Sequence, residues 1–252
     1  ENTALALDRF RSNIEQAKSR EAVIQERYRS NLLRAISHDL RTPLSGIIGT
    51  SEMIMGMTKE DEASYTLASD IHKDAEWLHS LVENILSLTR IKEGKLILDK
   101  QMETVEEVIS VAVAAIEKRM VGRYIEVDIP EKIMFVPMDA KLIEQVLVNL
   151  LDNAVKHTEI HENISIIVKH DEVNHCARFT IKDCGRGIKE QDLPHVFQMF
   201  YTTQGQNVDS QRGVGLGLTI CESIVKAHGG TIEAYNRKDG HGAEIVFTLP
   251  ME

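Results

Sequence analysis

Along the first third of the chain, apolar residues recur at three- and four-residue steps; beyond it they gather into shorter runs of changing period. Leu7, Phe10, Ile14, Ala17, Ile24 and Tyr28 follow a seven-residue repeat, which predicts a parallel coiled coil over residues 1–30. Glu21 and Asn31 occupy seam positions, so the seam is imperfect. A single amphipathic helix on its own domain is the alternative, but the sequence offers these residues no obvious partner, which favours a second chain. Leu33, Ile36, Leu40, Leu44, Ile47 and Ile48 continue as a helix with one apolar face. After a polar break at 56–62, residues 65–91 repeat the pattern through Leu67, Ile71, Leu78, Leu81, Val82, Ile85, Leu86 and Leu88. Two helices alone are too narrow to enclose a core, whereas two hairpins from two chains form a four-helix bundle. A homodimer is therefore predicted from burial, with Trp77 as a packing residue.

Gly94 ends the second helix, with Arg90, Lys92 and Lys95 near its C-terminus as the helix dipole favours, and the domain boundary falls there. The spacing then predicts an extended segment at 96–99, a helix at 105–118, and extended segments at 124–129 and 133–136. A long helix at 139–156 follows, then strands at 164–169 and 177–182 joined through 170–174, a helix at 216–227, and closing strands at 231–236 and 243–249. Helices gathered on one face of a mixed sheet make this an α+β sandwich. The expected division is 1–30, 31–93 and 94–252.

Composition narrows the class. Lys and Arg number 29 against 39 Asp and Glu, a net charge of −10, which argues against nucleic acid as a partner. The 3 cysteines form no Cys-x-x-Cys pair and no spacing suited to a metal, so reduced, cytosolic thiols are expected. No run reaches the roughly eighteen apolar residues that a spanning helix needs. The chain opens at Glu1 inside a helical pattern, so a portion of a longer protein is expected, with any membrane contact made through a missing N-terminal region.

Three stretches carry candidate chemistry. His38 and Asp39 stand side by side between the apolar teeth of the first helix; Thr42 lies one turn further on the same face, and Pro43, lacking an amide, is expected to bend the helix there. An isolated histidine at such a place is ordinary surface polarity, and it is the neighbours that single this one out. On the long helix, Asn149, Asn153 and Lys156 fall within about 60° of one another. Amide oxygens suit a hard cation such as Mg²⁺, and a lysine suits phosphate. Asp183-Cys-Gly185-Arg-Gly187 follows a strand, where the glycines allow close backbone approach and the carboxylate can accept from an exocyclic amine such as that of adenine. Gly213-Val-Gly215-Leu-Gly217-Leu218 opens a helix whose amides face anions. The dinucleotide fingerprint fails at Leu218 despite Glu233 at a tempting distance, and Gly94-Lys95 lacks the rest of a P-loop.

In this order, Ser37 to Leu44, Asn149 to His157, Asp183 to Gly187, Val196 to Phe200, Gly213 to Leu218 and Gly229-Gly230-Thr231 resemble the boxes of sensor histidine kinases with a Bergerat-type ATP-binding domain. The strings around His38, Phe200-Tyr201, the Gly213 run and Ala227-His228-Gly229-Gly230 are most similar to the KdpD branch, which controls potassium uptake genes. The resemblance implies a signalling helix at 1–30, a dimerisation and phosphotransfer domain at 31–93 and a catalytic domain at 94–252, on the cytosolic side. It makes His38 the phospho-acceptor, with Asp39 orienting the imidazole or taking its proton, and Thr42 serving dephosphorylation of a response regulator receiver domain. ATP and Mg²⁺ are implied, the metal at Asn153, with nucleotide contacts from Asn149, Asn153, Lys156, Asp183, Gly185, Gly187, Ile188, Gly213, Gly215, Gly217 and Leu218. The chain departs from the family at Thr202-Thr203, where a basic residue is common, at Gln198, and at Gly242-Ala243. Two rival readings are an ATPase of the clamp or repair type, needing an acid such as Glu144, and a silent dimeric scaffold that binds ATP.

Overall fold

The structure is a computed structural model, and it describes residues 40–59, 62–92, 98–117, 120, 124–202, 215–238 and 240–252. The expected coiled coil, His38, Asp39, Gly94 and Gly213 lie outside the described residues, as does the side chain of Trp77. The chain divides into two units, Glu1–Thr89 and Arg90–Glu252.

In the first unit, helix α1 (residues 40–57) runs antiparallel to α2 (Ala63–Lys92). Their pairing follows from where the apolar teeth meet: Leu44 packs against Val82 and Leu86, while Ser51, about two turns on, reaches His72 Nδ1 at 3.1 Å. Arg41 donates through Nε to Glu83 at 2.6 Å at the same end as Leu44. Only one stripe of each helix is covered. Leu40, Ile47, Met53, Ile54, Leu67, Ile71 and Leu78 stand exposed, so the hairpin leaves the apolar face predicted for it unburied by itself.

The second unit carries β1 (Gln101–Thr104), α3 (Val105–Glu117), β2 (Ile125–Asp128), β3 (Phe135–Met138), α4 (Ala140–Lys156), β4 (Ile164–Asp171), β5 (Cys176–Lys182), a 3₁₀ turn at Leu193–His195, α5 (Gly217–Ala227), β6 (Ile232–Asn236) and β7 (Ala243–Pro250). The main sheet has the order β2-β4-β5-β7-β6, with β2 and β4 parallel and the other neighbours antiparallel. Beside it, β1 and β3 form a two-stranded antiparallel ribbon. Helices α3, α4 and α5 pack side by side, and their buried faces read as the helical period demands: Val105, Val108, Ile109, Ala112 and Ile116 on α3, and Ile143, Val146, Leu147, Leu150, Leu151 and Ala154 on α4. Across the sheet, Phe179 and Phe247 are register partners whose rings stack 4.5 Å apart, both fully buried. This is the α+β sandwich read from the sequence.

Two strands differ from expectation. The first strand among the described residues is Gln101–Thr104; of the segment expected at 96–99, residues 96 and 97 lie outside the described residues and Leu98 and Asp99 form no element, while Gln101-Met-Glu-Thr lacks an alternating pattern, so its extended form comes from pairing with β3. The third is Phe135–Met138 in place of 133–136 and runs through Pro137; a two-stranded ribbon leaves an open side where the missing amide is tolerated.

Candidate functional site

Asp183 follows β5, and its Oδ1 accepts from Gly185 N at 2.9 Å and from Ala243 N at 3.0 Å. Two backbone amides therefore fix the carboxylate, and Oδ2 is left for an outside donor. The loop that follows lies on the end of α4, where a Cβ at residue 185 would collide with the carbonyl oxygen of His157; only glycine fits. Asn236 on β6 brackets the next turn like a paired strand. Its Oδ1 accepts from Ile188 N at 2.7 Å and its Nδ2 donates to Ile188 O at 2.6 Å, holding Ile188 and Gly187 in place. Arg237 Nη1 donates to Asp183 O at 3.2 Å and meets Cys184 Sγ at 2.9 Å.

Helix α4 brings Asn149, Asn153 and Lys156 onto one side, as the spacing requires, but their surroundings differ. Lys156 is ion-paired with Asp152 at 2.6 Å. Asn149 faces α5: burial pushes the Cys221 thiol up to about 12, with the Asn149 amide at the thiol opposing part of that rise. Asn149 Nδ2 is nevertheless buried without a hydrogen-bond partner among the described residues, a cost that an incoming acceptor would remove. At the start of α5, Gly215 has φ +70 and sits against the backbone of Phe200 and Tyr201, where a side chain would clash; Phe200 N donates to Gly215 O at 3.0 Å. Gly217 and Leu218 form the first turn of α5, whose N-cap, Leu216, makes no side-chain cap hydrogen bond among the described residues. Tyr201 OH donates to the buried Asp192 carboxylate at 2.7 Å, anchoring this segment from below.

Beside this loop, a cleft of about 440 Å³ is lined by His157, Thr158, Glu159, Glu162, Cys184, Gly185, Arg186 and His241. It shares Cys184, Gly185 and Arg186 with the Asp183 loop and does not include the α4 asparagines. Loss of hydration, and next the charge of Arg186, hold the His157 imidazole below its ordinary value. Among the described residues no group of three His, Cys, Asp or Glu side chains is placed to hold a metal. The oxygen donors available are the asparagine amides. Such a set suits a hard cation whose shell is completed by phosphate and water, so the residues fit Mg²⁺ delivered with a nucleotide. Glu144 does not face this site; it stands near Glu103 of β1, and burial first, then Glu103, raises its carboxyl above the usual range. Thr42 is exposed on α1, in the other unit. The roles of Asn236, Asp192 and Asp139 escape sequence reading, because lone Asn and Asp residues carry no spacing signal.

Residues 28–94 match the family described as His Kinase A (phospho-acceptor) domain, and residues 138–252 match Histidine kinase-, DNA gyrase B-, and HSP90-like ATPase. A Sensor protein KdpD of Clostridium acetobutylicum is 47% identical over 254 residues, covering 99% of this chain; the chain spans 28% of that relative's length. Among solved structures, full-length ShkA in complex with AMPPNP superposes with TM-score 0.69 at 24% identity, over 87% of this chain and 45% of ShkA. Histidine kinase ThkA in complex with response regulator protein TrrA gives TM-score 0.60 at 23% identity, over 86% of this chain and 60% of that one. These two likenesses concern the fold.

Proposed function

We propose a function from one premise: the chain belongs to the sensor histidine kinases, with a phospho-acceptor module followed by a Bergerat-type ATPase module and with KdpD proteins among its relatives. The chain binds ATP in the second unit and transfers the γ-phosphoryl group to His38. The observation that carries this is the Asp183 carboxylate, held by two amides with one oxygen left to accept from the adenine amino group; the unpartnered Asn149 Nδ2 on α4 and the glycine-led start of α5 support it. Phosphate oxygens meet the amides around Gly213, Gly215, Gly217 and Leu218, while Asn149, Asn153 and Lys156 line the other side and Gly185, Gly187 and Ile188 shape the adenine end. Asn153 would hold Mg²⁺, which supplies charge neutralisation for the departing diphosphate when bound.

In the reaction itself a ring nitrogen of neutral His38 forms the bond to phosphorus, the bond from phosphorus to the bridging oxygen breaks, ADP leaves, and Asp39 accepts the ring proton. Residues 1–30 act as a signalling helix, 31–93 as the dimerisation and phosphotransfer domain, and 94–252 as the catalytic domain. The exposed apolar stripe of the hairpin is buried by a second copy, and the surface below His38 receives a response regulator, the class of partner seen with ThkA. Thr42, exposed one turn beyond His38, orients water for dephosphorylation of that regulator. No helix among the described residues is long and apolar enough to cross a membrane, and we place this region on the cytosolic side of a larger sensor.

Incubation with γ-labelled ATP and Mg²⁺ tests the reading against its two rivals. The kinase gives protein-bound label that is acid-labile, alkali-stable and absent from His38→Ala. Free phosphate without labelled protein would establish the clamp-type ATPase, and bound nucleotide with neither would establish the scaffold.

A further inference from the structure

His228 closes α5, is 2% exposed, and has both ring nitrogens engaged. Its Nε2 accepts from the backbone N–H of Asp139 at 3.0 Å, which makes Nε2 the unprotonated nitrogen. Nδ1 then carries the proton and donates to Ile224 O at 2.8 Å. Asp139 is the N-cap of α4: its Oδ1 accepts from Leu142 N at 3.3 Å and its Oδ2 from Asp99 N at 3.2 Å. Lys100 Nζ donates to the carbonyl of His228 at 3.1 Å. One imidazole thus ties the last turn of α5 to the first turn of α4, and Asp99-Lys100, at the start of the second unit, are fastened to the same knot.

The consequence lies at the opposite end of the helix pair. Helices α4 and α5 run antiparallel, with His228 beside Asp139 and Cys221 donating toward Val146 O at 3.7 Å, a single unbroken register. Continued one turn further, that register brings Gly217 and Leu218 alongside Asn149 and Leu150. The phosphate-facing amides of α5 and the amides of α4 therefore keep their spacing only while the two helices cannot slide, and tight packing alone permits small slips that a directional bond forbids. We propose that His228 is a positioning residue for nucleotide binding: as a neutral Nδ1–H tautomer it fixes the register of α5 on α4, roughly 15 Å along the helices from the asparagines it serves. The proposal rests on the nucleotide site described above. The charged groups acting on the ring are Lys100 and Asp139. Burial, the largest influence, holds the imidazole below its ordinary value, ahead of Lys100, which acts in the same direction.

Two substitutions separate the ring's two bonds. His228→Gln puts an acceptor near the place of Nε2 and keeps the bond from Asp139; His228→Asn keeps a donor near Nδ1 and loses it. AMPPNP titration should give His228→Gln within about twofold of the unaltered protein and His228→Asn about tenfold weaker, the effect of one directional hydrogen bond. Equal affinities for the two variants, or affinities unchanged while the melting temperature falls, would mean a packing role only and overturn the proposal. If the unaltered chain binds no AMPPNP, the nucleotide reading itself fails and takes this inference with it. Neither variant is needed for the last arm: two-bond ¹H–¹⁵N spectra of the unaltered chain should show His228 protonated at Nδ1, and a proton at Nε2 would contradict the proposal.

Discussion

The two units solve the burial problem differently. In the α/β unit the apolar positions of α3, α4, α5 and the main sheet face one another, and Phe179, Phe247, Leu147 and Ile220 are sealed from solvent. In the hairpin Leu44, Val82 and Leu86 form the buried cluster among the described residues, while Leu67, Ile71 and Leu78 on α2 remain exposed. Among the described residues, the hairpin thus leaves its apolar stripe uncovered. The α/β unit, with its short and uneven segments, covers its own. Periodicity reports which face is apolar and says nothing about whether the covering surface belongs to the same molecule.

The largest effect expected from this contrast is in the closed core. Phe247→Ala removes one ring of the stacked pair and should cost the α/β unit about 3–5 kcal/mol in denaturant unfolding. A loss below 1 kcal/mol would mean that the core is not closed. Next, Ile71→Glu, on the exposed stripe, forfeits burial of about 1.5–3 kcal/mol per copy and adds a charge to the interface. Light scattering should show the dimer becoming a monomer while the melting transition of the α/β unit stays in place. A monomeric unaltered chain would remove the basis of the comparison. Gly185→Ala should cost about 1–3 kcal/mol, because the new methyl must displace the carbonyl of His157 at the end of α4, and it should weaken nucleotide binding at the same time.

The smallest effect is with pH. His228 and His157 both have folded values lowered from 6.5, chiefly by burial, so the unfolded chain binds protons more readily. Their contribution to the stability of the α/β unit is complete above about pH 6.5 and is lost as pH falls through the lower folded values. Thermal melts from pH 7.5 to 5.5 should show its transition falling. A rise toward pH 5.5 would contradict the neutral His228 on which the helix register depends.

Much of this was legible in the sequence, for reasons that differ by element. Helices α2, α3, α4 and α5 were expected to within two residues at each end, because each carries a buried stripe at helical spacing. Asp183 and its glycines were legible as a loop after a strand. The strand order was not, since parallel pairing of β2 with β4 depends on how α4 packs and not on any residue in β2. Strand β1 was missed because Gln101-Met-Glu-Thr becomes extended only against β3. The unequal fates of the α4 stripe were also out of reach: angular position predicted that Asn149, Asn153 and Lys156 share a side, but the pairing of Lys156 with Asp152 and the stranded amide of Asn149 depend on neighbours brought by the fold. His228 stood in a matched string without a role; its bond from Asp139 exists only because α5 runs antiparallel to α4.

Asp183 is the group proposed to read the base. Asn at this position keeps an oxygen for the amides of Gly185 and Ala243 and replaces the outward acceptor by a donor, so the fold is retained while the contact to an amino group is reversed. Calorimetric titration of AMPPNP into the unaltered chain and into Asp183→Asn should show binding to the first and affinity roughly tenfold to a hundredfold weaker in the second. Equal affinity in the two proteins would contradict it.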